Sequence, residues 1–271
     1  QGIHGAYSEL AGKNIFPNSS SLSCSTFEEM FQSIKEKKAD VAIVPIENSR
    51  AGRVADTQRL IPDSELKIID EYFLEVKHNL LVIPGTKLTD VKRIHSHEQG
   101  LAQCRKKIIE IEKEMVVAAD TAGAAKKISE LNNNEDAAIA SELASKIYNL
   151  EILESNFQDS SNNVTRFLVM APQLFPLDPN DENILTTLVF NVRSIPAALY
   201  KCLGGFASNG INITKLESYI HPQGFDVAQF YIDFEGHPEQ KGVKMALEEM
   251  KFYCKQINIL GVYKKSEFRK K

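Results

Sequence analysis

The sequence predicts an α/β protein in two parts, a larger one of alternating strands and helices and a smaller β-α-β-β-α-β sandwich. Three observations carry this. Short β-branched runs that end at proline, "DVAIVPI" and "NLLVIP", alternate with segments whose apolar residues recur every three or four positions. The stretch "APQLFPLDPNDEN" (171–183) breaks that pattern with three prolines, as linkers do. A chain of 271 residues also exceeds the usual length of one domain and can bury a sizeable core.

In order along the first part, "STFEEMFQSIKEKK", "HEQGLAQCRKKIIEIEKE" and "TAGAAKKISEL" read as helices, and the alternation with strands argues a largely parallel sheet. Thr26 with Glu29, and Ser96 with Gln99, fit the S/T-x-x-E/Q capping box, so Ser96 is expected to head a helix. Asp120 or Thr121 caps the third. After the linker come "TTLVFNV", "SIPAALYKCLGGFASNG", "INITKLESYI", "DVAQFYIDFE", "KGVKMALEEMKFYC" and "INILGVY". Read as strand, helix, strand, strand, helix, strand, this is the order of a ferredoxin-like sandwich.

Composition excludes several classes. A charged fraction of 25% and a net charge of -4 give nucleic acid nothing to hold, and the one cationic cluster, "KKSEFRKK", reads as a solvated, frayed terminus. No apolar run approaches the roughly 20 residues that cross a bilayer. The four cysteines lie far apart without CxxC spacing, which suits reduced thiols in the cytoplasm and neither a disulfide framework nor zinc. The chain opens on Gln1 without an initiator Met, so a trimmed leader or a preceding segment stays open.

Four stretches carry polar groups where chemistry gathers. "VPIENSRAGRV" (44–54) presents Glu47, Asn48 and Ser49 where a strand leaves its sheet, the usual place for ligands in open α/β sheets; it also reads as a plain strand-ending turn. In "RIHSHEQGLAQC" (93–104) the alternating His95 and His97 suggest metal ligands, but no further ligands stand at recognisable spacing. With Ser96 as a cap, its hydroxyl and the first-turn N–H groups suit a carboxylate, and Gln103, two turns on, lines the same wall. "AADTAGAAKK" (118–127) repeats the device. In "NNVTRFLVM" (162–170) Arg166 must meet a carboxylate or stay wet, which sets Thr165 at a polar cleft or at a salt-bridged strand edge.

Taken together and in this order, "GIHGAYSE", "VPIENSRAGRV", "HSHEQGLAQC", "DTAGAAKKIS", "AAIASELASKIYNLEIL" and "NNVTRFLVM", followed by the βαββαβ module, resemble prephenate dehydratase over essentially the whole chain. The resemblance implies a two-lobed catalytic domain similar to periplasmic-type binding proteins over residues 1–175, its second lobe at about 76–155, and a ferredoxin-like ACT domain over 184–266. It implies prephenate as substrate, phenylalanine as allosteric inhibitor, a homodimer or homotetramer in the cytoplasm, and no cofactor or metal. It assigns catalysis to Thr165, with Glu47 and Asn48, and substrate contacts to Ser49, Ser96, Gln103, Thr121, Arg166 and Phe167. Phenylalanine falls to Pro196, Ala197, Ala198 and Leu199 with Glu217 and Ser218. Two departures stand in the ACT part: many members carry Gly-Ala-Leu where this chain has "IPAALYKCL", and Glu-Ser-Arg-Pro where it has "LESYIHPQG".

The implied reaction expels carbon dioxide and hydroxide from a cyclohexadiene and is driven by aromatisation, so it needs no electron sink. It needs a donor to the leaving hydroxyl, fixed carboxylates and a partly dry cleft. Thr165 either donates to the leaving oxygen or only orients it; Glu47 either acts as an acid or orders Asn48. Two alternatives remain open, an arogenate dehydratase and a non-catalytic amino-acid-binding sensor of the same fold.

Overall fold

The computed structural model describes residues 1–220 and 228–270. Residues 221–224 of "LESYIHPQG", Asp226 and Val227 of the expected strand, and Lys271 lie outside the described residues. The first half of the chain forms α1 (Tyr7–Ile15), α2 (Phe27–Lys35), β1 (Ala42–Asn48), β2 (Gly52–Arg53), α3 (Ala55–Leu60), β3 (Lys67–Glu75), β4 (Asn79–Val82), β5 (Arg93–Ser96), α4 (Glu98–Gln103), α5 (Arg105–Glu110), β6 (Glu114–Val117) and α6 (Thr121–Leu131). Then follow β7 (Asp136–Ala140), α7 (Glu142–Ile147), β8 (Glu151–Glu154), β9 (Val164–Ala171), β10 (Ile184–Val192), α8 (Ala198–Ser208), β11 (Ile213–Ile220), β12 (Ala228–Glu235), α9 (Lys241–Tyr253) and β13 (Cys254–Lys264). Two compact units result: Gln1–Gln58 with Tyr72–Phe167, and Arg59–Glu71 with Leu168–Lys271.

In the first unit, β4 to β8 form a five-stranded sheet in the order β6-β5-β7-β4-β8. β5 runs parallel to β6 and β7, but β4 runs antiparallel to β7 and β8, so the expected parallel sheet is mixed. The parallel part follows from connectivity. Helices carry the chain from β5 to its neighbour β6 and from β6 across to β7 on the other side of β5, the crossovers that parallel pairing requires. The two-residue strand period sends Leu80, Val82, Ala137 and Ile139 into one core with Leu101 and Ile108, and Leu81, Ala138 and Ala140 into another with Ala124, Ala125 and Ile128. Burial on both faces explains why these strands read as continuous apolar runs.

Around the same unit, β1 pairs antiparallel with β2 and lies beside β9. α2 begins as its sequence predicts: Thr26 Oγ1 accepts from the Glu29 N–H at 3.1 Å, while the Glu29 carboxylate accepts from the Ser25 N–H at 2.6 Å. Two other sequence expectations fail here. Ser96 ends β5 and does not cap α4; His97 is the cap, its Nδ1 accepting from the Gln99 N–H at 3.2 Å. The long helix expected across 97–114 breaks at Cys104, because the Asp159 carboxylate accepts from the Lys106 and Lys107 N–H groups at 3.0 and 3.1 Å and starts a new helix.

In the second unit, β10, α8, β11, β12, α9 and β13 form an antiparallel sheet in the order β11-β12-β10-β13 with α8 and α9 packed together, the ferredoxin-like arrangement. Phe190, Phe206, Phe230, Phe234 and Met250 fill its core. Ile68 of β3 pairs parallel with Gly261 of β13, and a Cβ at Gly261 would stand 2.4 Å from the Ile68 carbonyl oxygen. The tail is not frayed as expected. Arg269 donates to both oxygens of the buried Glu71, at 2.6 and 2.9 Å, and so holds the terminus down. All four cysteines are free and buried. Among the described residues no helix is long and apolar enough to cross a membrane.

Candidate active site

Strand β9 separates the two residues that stand side by side in "NNVTRFLVM". Its period sends Thr165 and Arg166 to opposite faces. The Arg166 side chain, 1% exposed, donates through Nη1 to Glu47 Oε1 at 3.0 Å. An unpaired guanidinium there would cost several kcal/mol, so the ion pair is what lets an Arg sit in this strand. Neither residue is among those that line the cavity described next, where the resemblance had led one to expect both.

Thr165 opens into a cavity of about 460 Å³ within the first unit. Its floor is a chain of side-chain hydrogen bonds whose direction can be read. Asn48 Oδ1 accepts from the backbone N–H groups of Arg50 and Ala51, at 2.9 and 2.8 Å, which fixes that amide. Asn48 Nδ2 must then donate, and does so to Thr165 Oγ1 at 2.9 Å and Asn163 Oδ1 at 2.8 Å. Asn163 Nδ2 in turn donates to Gln103 Oε1 at 2.6 Å. Two groups are left with protons to spare: among the described residues the Thr165 hydroxyl hydrogen and the Gln103 amide nitrogen find no acceptor in the protein. Both residues line the cavity.

The walls come from elements that the sequence placed there for partly different reasons. The starts of α4 and α6 converge on the cavity, which His97, Gln99, Asp120 and Thr121 line. Asp120 caps α6, its Oδ1 accepting from the Gly123 N–H at 2.7 Å. Ser96 is not among the lining residues: it is fully buried and donates to the Ile139 carbonyl at 2.8 Å, so its hydroxyl serves the sheet. Ser49 is likewise structural. It accepts from the Val164 N–H at 3.0 Å and donates to the Asn162 carbonyl at 2.9 Å, clamping the entry of β9. Phe167 forms apolar wall and packs with Ala11 and Leu74.

Gln103 reaches the cavity because α4 stops there. Its carbonyl accepts from the Asp159 N–H at 2.8 Å, and the same Asp159 begins α5. Among the cavity residues that the sequence reading did not single out are Tyr7, Arg53, His78 and Asn163. Asn163 stands two before Thr165, the spacing that shares a strand face, and Arg53 ends the "VPIENSRAGR" stretch; both signals were there to use. His78 and Tyr7 carried none. Arg53 is the one Lys or Arg, and Asp120 the one Asp or Glu, among the lining residues.

His95 Nε2 lies 2.8 Å from Asp136 Oδ1, and among the described residues no group of three or more His, Cys, Asp or Glu is placed to hold an ion. In the second unit, residues 192–200 line a hollow that contains Pro196 to Leu199. Glu217 and Ser218 lie outside it on the edge strand β11, where Glu217 accepts from Lys215 Nζ at 2.6 Å, so the structure does not gather that expected set.

A cavity floored by oriented amide and hydroxyl donors in an α/β unit, on a chain that also carries a ferredoxin-like sandwich, is the build of a site for a small polar molecule. The family model described as prephenate dehydratase matches residues 1–173, and the chain belongs to that family, whose members are carbon–oxygen lyases of the hydro-lyase type. It is 44% identical, over all of its length and 96% of the relative's, to the bifunctional N-acyl-homoserine lactone acylase/prephenate dehydratase of Komagataeibacter europaeus. It is 37% identical to the chloroplastic arogenate dehydratase/prephenate dehydratase 2 of Arabidopsis thaliana, over 97% of this chain and 71% of that one. The crystal structure of prephenate dehydratase from Arthrobacter aurescens in complex with L-Phe superposes with a TM-score of 0.88 at 29% identity, covering 97% of this chain and 88% of the other.

Proposed function

We propose that this chain is a cytoplasmic prephenate dehydratase, converting prephenate to phenylpyruvate, carbon dioxide and water on the way to phenylalanine. The observation that carries the reading is the free proton of Thr165. Asn48 occupies the hydroxyl's acceptor side, so the O–H can point only away from it, into the cavity. There it donates to the departing 4-hydroxyl as the ring carboxylate leaves; the electrons of the broken C–C bond complete the aromatic ring, and the hydroxide takes up a proton as water. A threonine hydroxyl is a weak acid, and a positioned donor of this kind contributes about 10²–10⁴-fold. Arg53, His97 and the free amide of Gln103 suit the substrate's two carboxylates and its keto oxygen, each charge-assisted contact being worth about 1.5–3 kcal/mol. Catalysis is assigned to residues 1–175 and regulation to an ACT domain at 184–266.

The test is the alkaline absorbance of phenylpyruvate. Thr165→Ala should lose about a hundredfold or more in kcat with its fold intact, and Thr165→Ser should keep most of it. A Thr165→Ala protein within a few-fold of its parent would remove the hydroxyl from the mechanism. Running arogenate in parallel separates the two dehydratases, since only the amino or keto group of the side chain differs.

Phenylalanine is proposed to bind at the start of α8, where Ala197 offers no side-chain cap and, with the Ala198 N–H given to the Ile195 carbonyl at 3.3 Å, the Leu199 and Tyr200 amides are left for a carboxylate. The L-Phe complex of the Arthrobacter aurescens relative supports this. A homodimer or homotetramer is proposed with it. An acylase activity like that in the name of the Komagataeibacter europaeus relative is the second reading. Against it, Thr165 has no base on its hydroxyl among the described residues, so it is a donor and not an activated nucleophile.

A further inference from the structure

The hydrogen-bond chain does not end at Gln103. Gln103 Oε1 lies 2.8 Å from His78 Nε2, and His78 Nδ1 lies 2.8 Å from the Tyr7 hydroxyl, which also reaches the Lys77 carbonyl at 3.0 Å. The direction set by the Arg50 and Ala51 amides makes Gln103 Oε1 an acceptor, and an acceptor there requires a proton on His78 Nε2. We infer that His78 is a positioning residue, held with Nε2 protonated, whose N–H clamps Gln103 Oε1 and turns the Gln103 NH₂ into the cavity toward a substrate carboxylate or carbonyl.

Three features support this. His78 is 3% exposed and Asn163 3%, so their polar atoms must be satisfied within the protein, and each hydrogen bond along the chain does so. Without a donor at position 78 the Gln103 amide would be held by Asn163 alone and could rotate about its last bond. The Tyr7 ring packs edge-on to the imidazole with ring centroids 5.6 Å apart, which fixes the ring plane. Burial pushes the His78 pKa down, so the ring is neutral at neutral pH, and burial keeps Tyr7 a phenol well above its ordinary pKa. A neutral ring with Nε2 protonated leaves Nδ1 to accept from Tyr7, whose single proton points to the nearer Nδ1 at 2.8 Å and is shared with the Lys77 carbonyl at 3.0 Å as the longer partner. The far end of the chain therefore rests on a hydroxyl, with no charge brought near the cavity.

The inference deepens the dehydratase reading and in part rests on it, so its test has one arm that does not. Nitrogen-15 spectra of histidine-labelled protein at neutral pH, with the His78 signals identified by their loss in His78→Gln, should show Nε2 protonated and Nδ1 bare. The opposite tautomer overturns the inference whatever the protein turns over. In kinetics with prephenate, His78→Phe should raise KM about tenfold with kcat within about threefold, because Gln103 grips substrate and transition state alike. His78→Gln, which restores a donor at the Nε2 position, should bring KM back to within about threefold. Equal KM values for the Phe and Gln variants, both with parental melting, would show that the donor is irrelevant and overturn the inference. Absence of any turnover in the parent would sink the dehydratase reading, and the nitrogen spectrum would then decide the role of His78 by itself.

Discussion

Thr165 and Arg166 are adjacent in sequence and answer to opposite demands, one to the cavity and one to the interior. The sequence announced that Arg166 needed a carboxylate but not which one, because Glu47 lies 119 positions earlier and only the β1–β9 pairing brings it within 3.0 Å. The same limit hid His78 and Tyr7, which meet across 71 positions. A second ion pair, with its carboxylate buried, gives a prediction at this scale. Arg93 donates to both oxygens of Asp136, at 2.7 and 2.9 Å, and with His95 pulls that carboxyl from 3.8 down to about 2. Since its folded pKa lies below the unfolded one, the stability it adds is full above about pH 4 and is lost as pH falls through about 2. Because Arg93 is partly exposed, solvent screens the pair and its contribution is smaller than that of a fully buried one. Urea titrations at stepped pH should show the parent losing stability across this window and Asp136→Asn losing less; parallel curves would contradict the assignment.

At the scale of elements, periodicity and caps were readable wherever local chemistry decides. Thr26 and Asp120 cap as their neighbours suggest. Ser96 misled because its capping signature was outbid by a carbonyl on β7, a partner 43 positions away, and the break at Cys104 depended on Asp159, later still. The start of α8 is the reverse case. Ala197 adopts φ 60° and ψ 20°, the left-handed region that costs an L-residue about 1–2 kcal/mol. Part of that returns as unfolded-chain entropy when Gly is introduced, so Ala197→Gly should stabilise the protein by about 0.5–1 kcal/mol. Denaturant midpoints measure it, and calorimetry with phenylalanine should give heat for both forms. A lower midpoint for the Gly variant would show that the backbone there is unstrained.

At the scale of the whole chain, the β-α-β-β-α-β order was legible because each of its elements is long and strongly patterned. The allotment of Arg59–Glu71 to the second unit was not, since no local signal says that a segment between two helix-and-strand patterns joins a sheet almost 200 positions later. That alliance is sealed where Gly261 meets Ile68. A methyl group at Gly261 has nowhere to go against backbone 2.4 Å away. Gly261→Ala should therefore part the strands at this point while the four antiparallel strands keep their own pairing. Limited trypsin digestion gives the readout: the variant should be cut early at Arg59 or Lys67, sites that the parent protects for longer.

That single hydrogen-sized gap also makes position 261 the seam where warming should tell first: the alanine variant should let go of Ile68 at a temperature that its parent withstands.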